Sequence, residues 1–381
     1  MSMVIQDISR TDALFERVST LIEQARQRVL TSVNLAEVYT KYEIGRYIVE
    51  EEQQGNARAE YGKQMLKLLS AKLTDRYGKG WGEENLRLIR NFYLVYSNKN
   101  QNTVLDISNK NQNTVLENDK QRLANLNLIN SDYQNQMPKF TLSWSHYLIL
   151  MRVENPDARS FYEIECTQQQ WSVRQLNRQV GSSLYERLAL SRNKNEVMRL
   201  AKEGQTIEKP SDIIKNPLTL EFLGLKPEEA YTETKLESAI INKLQTFLLE
   251  LGKGFLFEKR QKRFTFDEEN YYVDLVFYNR LLQCYVLIDL KTDKLTHQDL
   301  GQMQMYVNYY DRHVRQDFEK PTIGIILCES KKDSLVNLTL PEDANIYAAQ
   351  YQLYLPDKKL LQAKVKNWIK EYKEANPDED E

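Results

Sequence analysis

Apolar positions recur three and four residues apart from the start of the chain to about residue 96, the period of amphipathic helices. The segments "DALFERVSTLIEQARQRVLTSVN" and "LAEVYTKYEIGRYIVEEEQ" carry it first. The stretch "YGKQMLKLLSAKLTDRYGKGWGEENLRLIRNFYLVYS" then predicts helix, glycine-rich turn at 78–82, and helix. On the second of these helices Leu86, Ile89 and Tyr93 form an apolar stripe, while Arg87, Arg90 and Asn91 share another face. That layout fits a helix-turn-helix presenting a basic face to nucleic acid. The solvated side of a helical bundle fits it as well.

At residue 97 the period vanishes. "SNKNQNTVL" occurs at Ser97–Leu105 and again, unchanged, at Ser108–Leu116, within a tract rich in Asn and Gln. Such sequence buries too little to offset its ordering entropy, so 97–137 is expected to be a duplicated, flexible insertion with no catalytic content. Helical periodicity returns at "FTLSWSHYLILMRV" and runs through "SFYEIECTQQQWSVRQLNRQVGSSLYERLALS", where Trp144, Tyr147 and Trp171 read as core aromatics. A charged stretch with Pro210, Pro217 and Pro227 reads as a linker, 193–230.

Beyond it the rhythm changes. "TKLESAIINKLQTFLLELGKG" predicts a helix ending in glycines. "FLFEKRQKRFTF", "YYVDLVFY" and "LQCYVLIDLK" predict three strands, the last two joined by a tight turn at Asn279-Arg280. "HQDLGQMQMYVNYYDR" is helical, "TIGIILC" has the continuous apolar character of a strand covered on both faces, and "NIYAAQYQLYL" is a further strand. An αβββαβ order implies a mixed sheet flanked by helices. The organisation expected is a mainly α N-terminal domain (1–192), the linker, an α/β domain (231–375) and an acidic tail (376–381).

Composition narrows the function classes. With 52 Lys and Arg against 54 Asp and Glu the net charge is −2, so any nucleic-acid surface must be local. No apolar run approaches the ~20 residues that span a bilayer, and the first fifteen residues lack the layout of a secretion signal, so a cytoplasmic chain away from membranes is expected. Cys166, Cys284 and Cys328 are scattered and read as buried hydrophobes, and His146, His297 and His313 lack paired-ligand spacing. A metal here would be a hard ion held by carboxylates.

The two predicted strands that follow the basic one place acids where apolar residues belong. Asp274 lies on one, Asp289 near the end of the next, and Lys291 is two residues on, hence on the same strand face as Asp289. Two carboxylates suit an oxygen-seeking divalent ion such as Mg²⁺, and a nearby lysine orients water or neutralises developing charge. A buried Asp289–Lys291 ion pair beside an unrelated Asp is the bland alternative. Glu237 falls within the apolar stripe of the preceding helix, so it wants a partner, although Thr234-x-x-Glu237 also fits a capping box. Gln302 and Tyr306, four apart on the following helix, share a face. Lys259, Arg260, Lys262 and Arg263 make a cationic stripe on the first strand, suited to phosphates or to an ordinary solvated edge.

This combination resembles the PD-(D/E)XK nuclease superfamily, and within it "YTETKLESAIINKLQTFLLELGKGFLFEKRQKRFTF", "YYVDLVFYNRLLQCYVLIDLKTDKL" and "GQMQMYVNYYDRHVR" are similar to the bacterial YhcG-like family. The N-terminal segments "ARAEYGKQMLKLLSAKLTDRYGKGWGEENLRLIRNFY" and "LSWSHYLILMRV" are similar to that family's helical domain, so the likeness covers all but the insertion. The resemblance implies a restriction-endonuclease-like fold, a winged-helix-like N-terminal domain and a DNA nuclease dependent on Mg²⁺ or Mn²⁺, serving repair, recombination or defence. It implies Asp274 and Asp289 as metal carboxylates, Leu290 as a carbonyl ligand, Lys291 as catalytic lysine, Glu237 in the acidic shell, and Gln302 and Tyr306 as the glutamine–tyrosine motif. Val273 stands where proline begins the motif, and Asp289 where a glutamate is usual in YhcG-like chains. DNA is the expected partner before RNA, with a second copy or partner proteins alongside. A catalytically silent nucleic-acid-binding module within a larger assembly is the alternative, and the complete acid and lysine set argues against it.

Overall fold

The computed structural model describes residues 2–54, 59–97, 138–190, 194–215, 217–225, 231–266, 268–341, 343–355 and 357–375. The Asn/Gln-rich insertion, apart from Ser97, and the acidic tail lie outside these residues, as do parts of the expected linker, Pro227 among them. The chain packs as two compact units, 1–154 and 155–381.

In the first unit the two opening segments merge into one helix, α1 (Ser2–Gln54), followed by α2 (Ala59–Tyr77), α3 (Glu83–Ser97) and α4 (Trp144–Leu150). Gly78, at φ 81°, closes α2 with an N–H bond to Thr74. α1 and α3 cross so closely at Gly45 that a Cβ there would lie 2.5 Å from the Ile89 carbonyl oxygen. The stripe predicted on α3 is buried as Leu86 and Ile89, continued by Phe92 and Tyr96. Phe92 packs among Tyr96, Phe140 and Tyr147, with Trp144 edge-on to it at 5.2 Å. The helix–turn–helix is therefore present. Among the described residues this unit is helical and contains no strand, and residues 98–137, between α3 and α4, lie outside them.

The second unit begins with α5 (Pro156–Gln169), α6 (Val173–Gly181), α7 (Leu184–Leu190) and α8 (Lys194–Glu203). A short strand β1 (Leu218–Thr219) follows, inside the stretch read as linker. Then come α9 (Glu233–Asn242) and α10 (Leu244–Leu251), β2 (Phe255–Phe266), β3 (Glu269–Asn279), β4 (Cys284–Leu290), α11 (His297–His313), β5 (Ile323–Cys328), α12 (Asp333–Thr339), β6 (Ile346–Gln352) and α13 (Lys358–Ala375). The sheet order is β1-β6-β5-β4-β3-β2, antiparallel from β2 to β4 and parallel from β4 to β1.

Strand alternation divides the core in two. Val286, Ile288 and Leu290 face a layer built with Leu236, Ile240 and Phe247 of α9 and α10. Leu287 faces the layer of Leu300, Met303, Tyr306 and Tyr310 from α11. All three cysteines are buried, and burial pushes the thiols of Cys166 and Cys284 up to about 12 and that of Cys328 up to about 11.

Two local expectations are corrected. The single helix predicted from Thr234 breaks at Lys243 into α9 and α10. The tight turn at Asn279-Arg280 is instead a four-residue loop, 280–283, because Asn279 still pairs with Cys284 and turns its side-chain oxygen to accept the N–H groups of Leu281 and Leu282.

A buried ionic cluster joins the helices of this unit to its sheet. Glu250 on α10 receives Arg187 at 2.6 Å, Arg178 at 3.1 Å and the Thr219 N–H at 3.0 Å, while the Lys215 ammonium donates to the Glu250 backbone carbonyl. Burial opposes the Glu250 charge, but Arg187, Lys215 and Arg178 hold its carboxyl down to about 2. Burial takes the Lys215 ammonium down to about 8.

Candidate active site

The β3–β4 ladder is paired as far as Leu275 opposite Ile288, and one step beyond it stand Asp274 and Asp289. Asp289 lies on a strand with neighbours on both sides and is only 3% exposed. By strand alternation Asp289 and Lys291 share the β4 face of Leu287, which packs toward α11. The Lys291 N–H is bonded to the Leu327 carbonyl at 2.8 Å, which fixes the end of β4 against β5.

Lys291 Nζ is 2.9 Å from Asp289 Oδ2, 3.7 Å from Glu233 and 4.0 Å from Asp299. The contact with Asp289 is an ion pair out of line for a hydrogen bond, and Oδ2 is buried without a well-directed donor. Burial, then the charge of Asp274, push the Asp289 carboxyl well above the ordinary range, and Lys291 opposes them incompletely. Burial works against the Lys291 charge, but Asp289, Glu233 and Asp299 outweigh it and raise its pKa.

Glu237 is 3% exposed and fully engaged: Arg260 Nε donates to Oε1 at 2.5 Å and Gln261 Nε2 to Oε2 at 2.8 Å. It caps nothing, because the N-cap of α9 is Thr232, whose side chain accepts the Lys235 N–H. Gln261 Nε2 also donates to Asp274 Oδ1 at 2.8 Å, and the Leu290 N–H to Asp274 Oδ2 at 2.8 Å. Gln302 donates to the Tyr306 hydroxyl. Tyr306 is buried, which raises its pKa, and Asp289 and Asp274 lie close enough to add to the shift, so it is a neutral phenol beside the acids.

The structure thus brings Asp274, Asp289, Leu290, Lys291, Glu237 and Tyr306 to one end of the sheet, with Gln302 attached through Tyr306. Of the cationic stripe, Arg260 is engaged with Glu237 and Ser238, while exposed like Lys259 and Arg263 on the edge strand. Arg87 and Arg90 belong to the other unit, where each already has an acid, Glu83 and Glu52. Three residues at the site were not anticipated. Glu233 lies one turn before Glu237, so helical spacing could have found it. Asp299 carries the capping box with Thr296, which masked its second contact. Gln261 left no sequence signal: its place depends on a bulge between Phe257 and Lys259 and on a φ of 47°.

Among the described residues, no three His, Cys, Asp or Glu side chains gather into a ready metal cage. A divalent ion nevertheless fits the pair Asp274 and Asp289. Two carboxylates stand at the sheet's end, near enough for the charge of Asp274 to raise the Asp289 pKa, one with a buried oxygen lacking a directed donor, and Mg²⁺ typically takes one or two carboxylates and keeps its waters.

Residues 211–366 match the family described as the YhcG PDDEXK nuclease domain, and residues 17–187 match the DUF1016 N-terminal domain. A protein of Escherichia coli (strain K12) described as "Putative nuclease YhcG" is 40% identical over 343 residues, which are 90% of this chain and 90% of that protein. The crystal structure of a repair endonuclease from Pyrococcus abyssi is 16% identical, covers 34% of this chain and 50% of its own, and superposes with a TM-score of 0.23. A structure described as "EndoMS-dsDNA2 complex" is 17% identical, covers 35% and 50%, and has a TM-score of 0.24. Likenesses this faint carry no argument about the site.

Proposed function

The chain belongs to the YhcG family, whose C-terminal part is a PDDEXK nuclease domain, and from that premise we propose that it hydrolyses phosphodiester bonds in DNA with a divalent ion, Mg²⁺ or Mn²⁺, held by Asp274 and Asp289. The observation that carries this reading is Asp289: an acid buried among strands, opposed by Asp274, with an oxygen lacking a directed donor and a lysine at 2.9 Å. Such an arrangement costs stability and is the mark of a site built for chemistry. A bound ion supplies charge neutralisation at the phosphate and a more acidic water. Lys291, held protonated by its acids, orients the attacking water and donates to the phosphate oxygen that gains charge. Glu237 completes the acidic shell, with Leu290 contributing its carbonyl. Tyr306 and Gln302 flank the acids as hydrogen-bonding groups. Lys259, Lys262 and Arg263 hold the nucleic-acid backbone along β2.

The basic side chains of α3 are assigned a weaker place in this reading, since Arg87 and Arg90 are paired with acids. A second copy of the chain is the partner that paired cuts require. Exposed Phe15, Val18, Ile22 and Val29 at heptad spacing along α1 favour it, and a monomer in sedimentation velocity excludes it. Serving repair, recombination or defence in the cytoplasm is the role this chemistry suits; among the described residues no helix is long and apolar enough to cross a membrane.

The test is cleavage of linear, circular single-stranded and branched DNA by the purified chain with Mg²⁺, Mn²⁺ or EDTA, beside Lys291→Ala and Asp289→Ala. Metal-dependent cutting by the wild type alone, with both variants folded, is the expected result. Cutting by both variants, or binding of DNA without cutting, defeats it.

A further inference from the structure

Gln261 sits at the centre of the acids, yet it lies on an edge strand where nothing in the ladder demands it. Its neighbours Arg260 and Lys262 face Leu275 and Val273, so Gln261 faces Asp274 across the β2–β3 pair. It reaches that acid through backbone an L-residue seldom adopts, φ 47°, in a strand already bulged between Phe257 and Lys259. Non-glycine residues held in that region cluster at functional sites because the surrounding structure must sustain the cost. The side chain is exposed rather than packed, so burial does not account for the conformation.

One nitrogen does the work. Gln261 Nε2 donates one hydrogen to Glu237 Oε2 and the other to Asp274 Oδ1, each at 2.8 Å. Opening at the ~120° of an amide nitrogen, two such bonds set the carboxylate oxygens about 5 Å apart. An octahedral ion with ligands at about 2.1 Å spans at most about 4.2 Å between two of them. While the bridge holds, those two oxygens cannot share one ion. Glu237 is further committed through Arg260, and Leu290 fixes the other oxygen of Asp274.

We propose that Gln261 is a positioning residue of the active site: it orients the Asp274 carboxylate, and Glu237 acts through it as an outer anchor rather than as a metal ligand. This rests on the nuclease reading above and assigns the third acid of that site a different job. Hydrogen-bonded supports of ligating carboxylates of this kind typically set metal affinity or activity by 10–100-fold.

The experiment is Mn²⁺ titration by calorimetry on the full chain, comparing wild type with Gln261→Met, Glu237→Gln and the double variant, with thermal melts of each without metal. Methionine keeps the length and backbone of glutamine and removes both donors. The expected result is about 10–100-fold weaker Mn²⁺ binding in Gln261→Met, with the melting temperature nearly unchanged and the double variant no weaker than Gln261→Met alone. Unchanged affinity in Gln261→Met, or losses in the two single variants that multiply in the double, overturns the role. So does a melting shift without an affinity change, which makes the bridge merely structural. A wild type that binds no Mn²⁺ and cuts no DNA overturns the nuclease reading as well, whereas a wild type that does both alongside an equally competent Gln261→Met overturns this inference alone.

Discussion

Asp289 shows how a single side chain trades stability for chemistry. Its folded-state pKa lies above the unfolded value of ~3.9, so its contribution to stability is fully present below that value and is lost as pH rises through the folded pKa. The metal-free chain should therefore lose stability on this account between acid and neutral pH, and Asp289→Asn should melt a few degrees higher than wild type at pH 8 in EDTA, the gap closing below pH 4. Calorimetric melts across that range check it; an Asn variant less stable than wild type at pH 8 refutes it. The neighbouring residues also show what a sequence discloses at this scale. The spacing of Asp289 and Lys291 put both on one strand face, and helical phase put Glu237 on a buried face, so both were legible. That Glu237 is met by Arg260 and Gln261 rather than serving as a cap was not, because those contacts depend on a bulge and on one left-handed residue that no periodicity encodes.

The elements of the sheet were read most surely where alternation or continuous apolarity is strong. β2 coincides with "FLFEKRQKRFTF", and β5 is buried at every residue, as its unbroken apolar run required. Elements whose stability comes from distant partners escaped. β1 is two residues long and exists through its parallel pairing with β6, far along the chain. The break between α9 and α10 leaves the apolar stripe in phase on both sides, so the pattern predicted one helix. The ionic cluster at α10 belongs to this scale too, since its members are individually ordinary charged residues in helices and loops. Removing its carboxylate takes from the buried Arg187 and Lys215 the acid they share, while Arg178 keeps Glu221. Glu250→Gln should therefore cost about 3–5 kcal/mol in a urea unfolding curve, and a loss below ~1 kcal/mol would show that the cluster is dispensable.

At the scale of the whole molecule, compact packing divides at Glu154/Asn155, so α5 to α8 belong with the sheet by contact. Lys253, in the turn after α10, reaches Glu165 on α5 at 2.7 Å, and Arg178 and Arg187 reach Glu250 from α6 and α7. A fragment beginning at residue 155 should fold, whereas one beginning at 231 should not, because it retains Glu250 and lacks the cations that hold it. Circular dichroism melts of the two fragments decide this, and a cooperative transition in the shorter one would be fatal to the argument. Fold class was thus available from the sequence, whereas helical periodicity alone records that a face is buried and not what buries it.

The same cluster imposes a timetable on biosynthesis. Arg178, Arg187 and Lys215 leave the ribosome ahead of Glu250, which trails Arg187 by 63 residues. At about 5–20 residues per second that interval is on the order of several seconds. Throughout it Arg187 and Lys215 lack the acid they share, so the docking of α6 and α7 onto α10 is completed only after it. The emerging helices wait for Glu250, the carboxylate that Arg178 and Arg187 share.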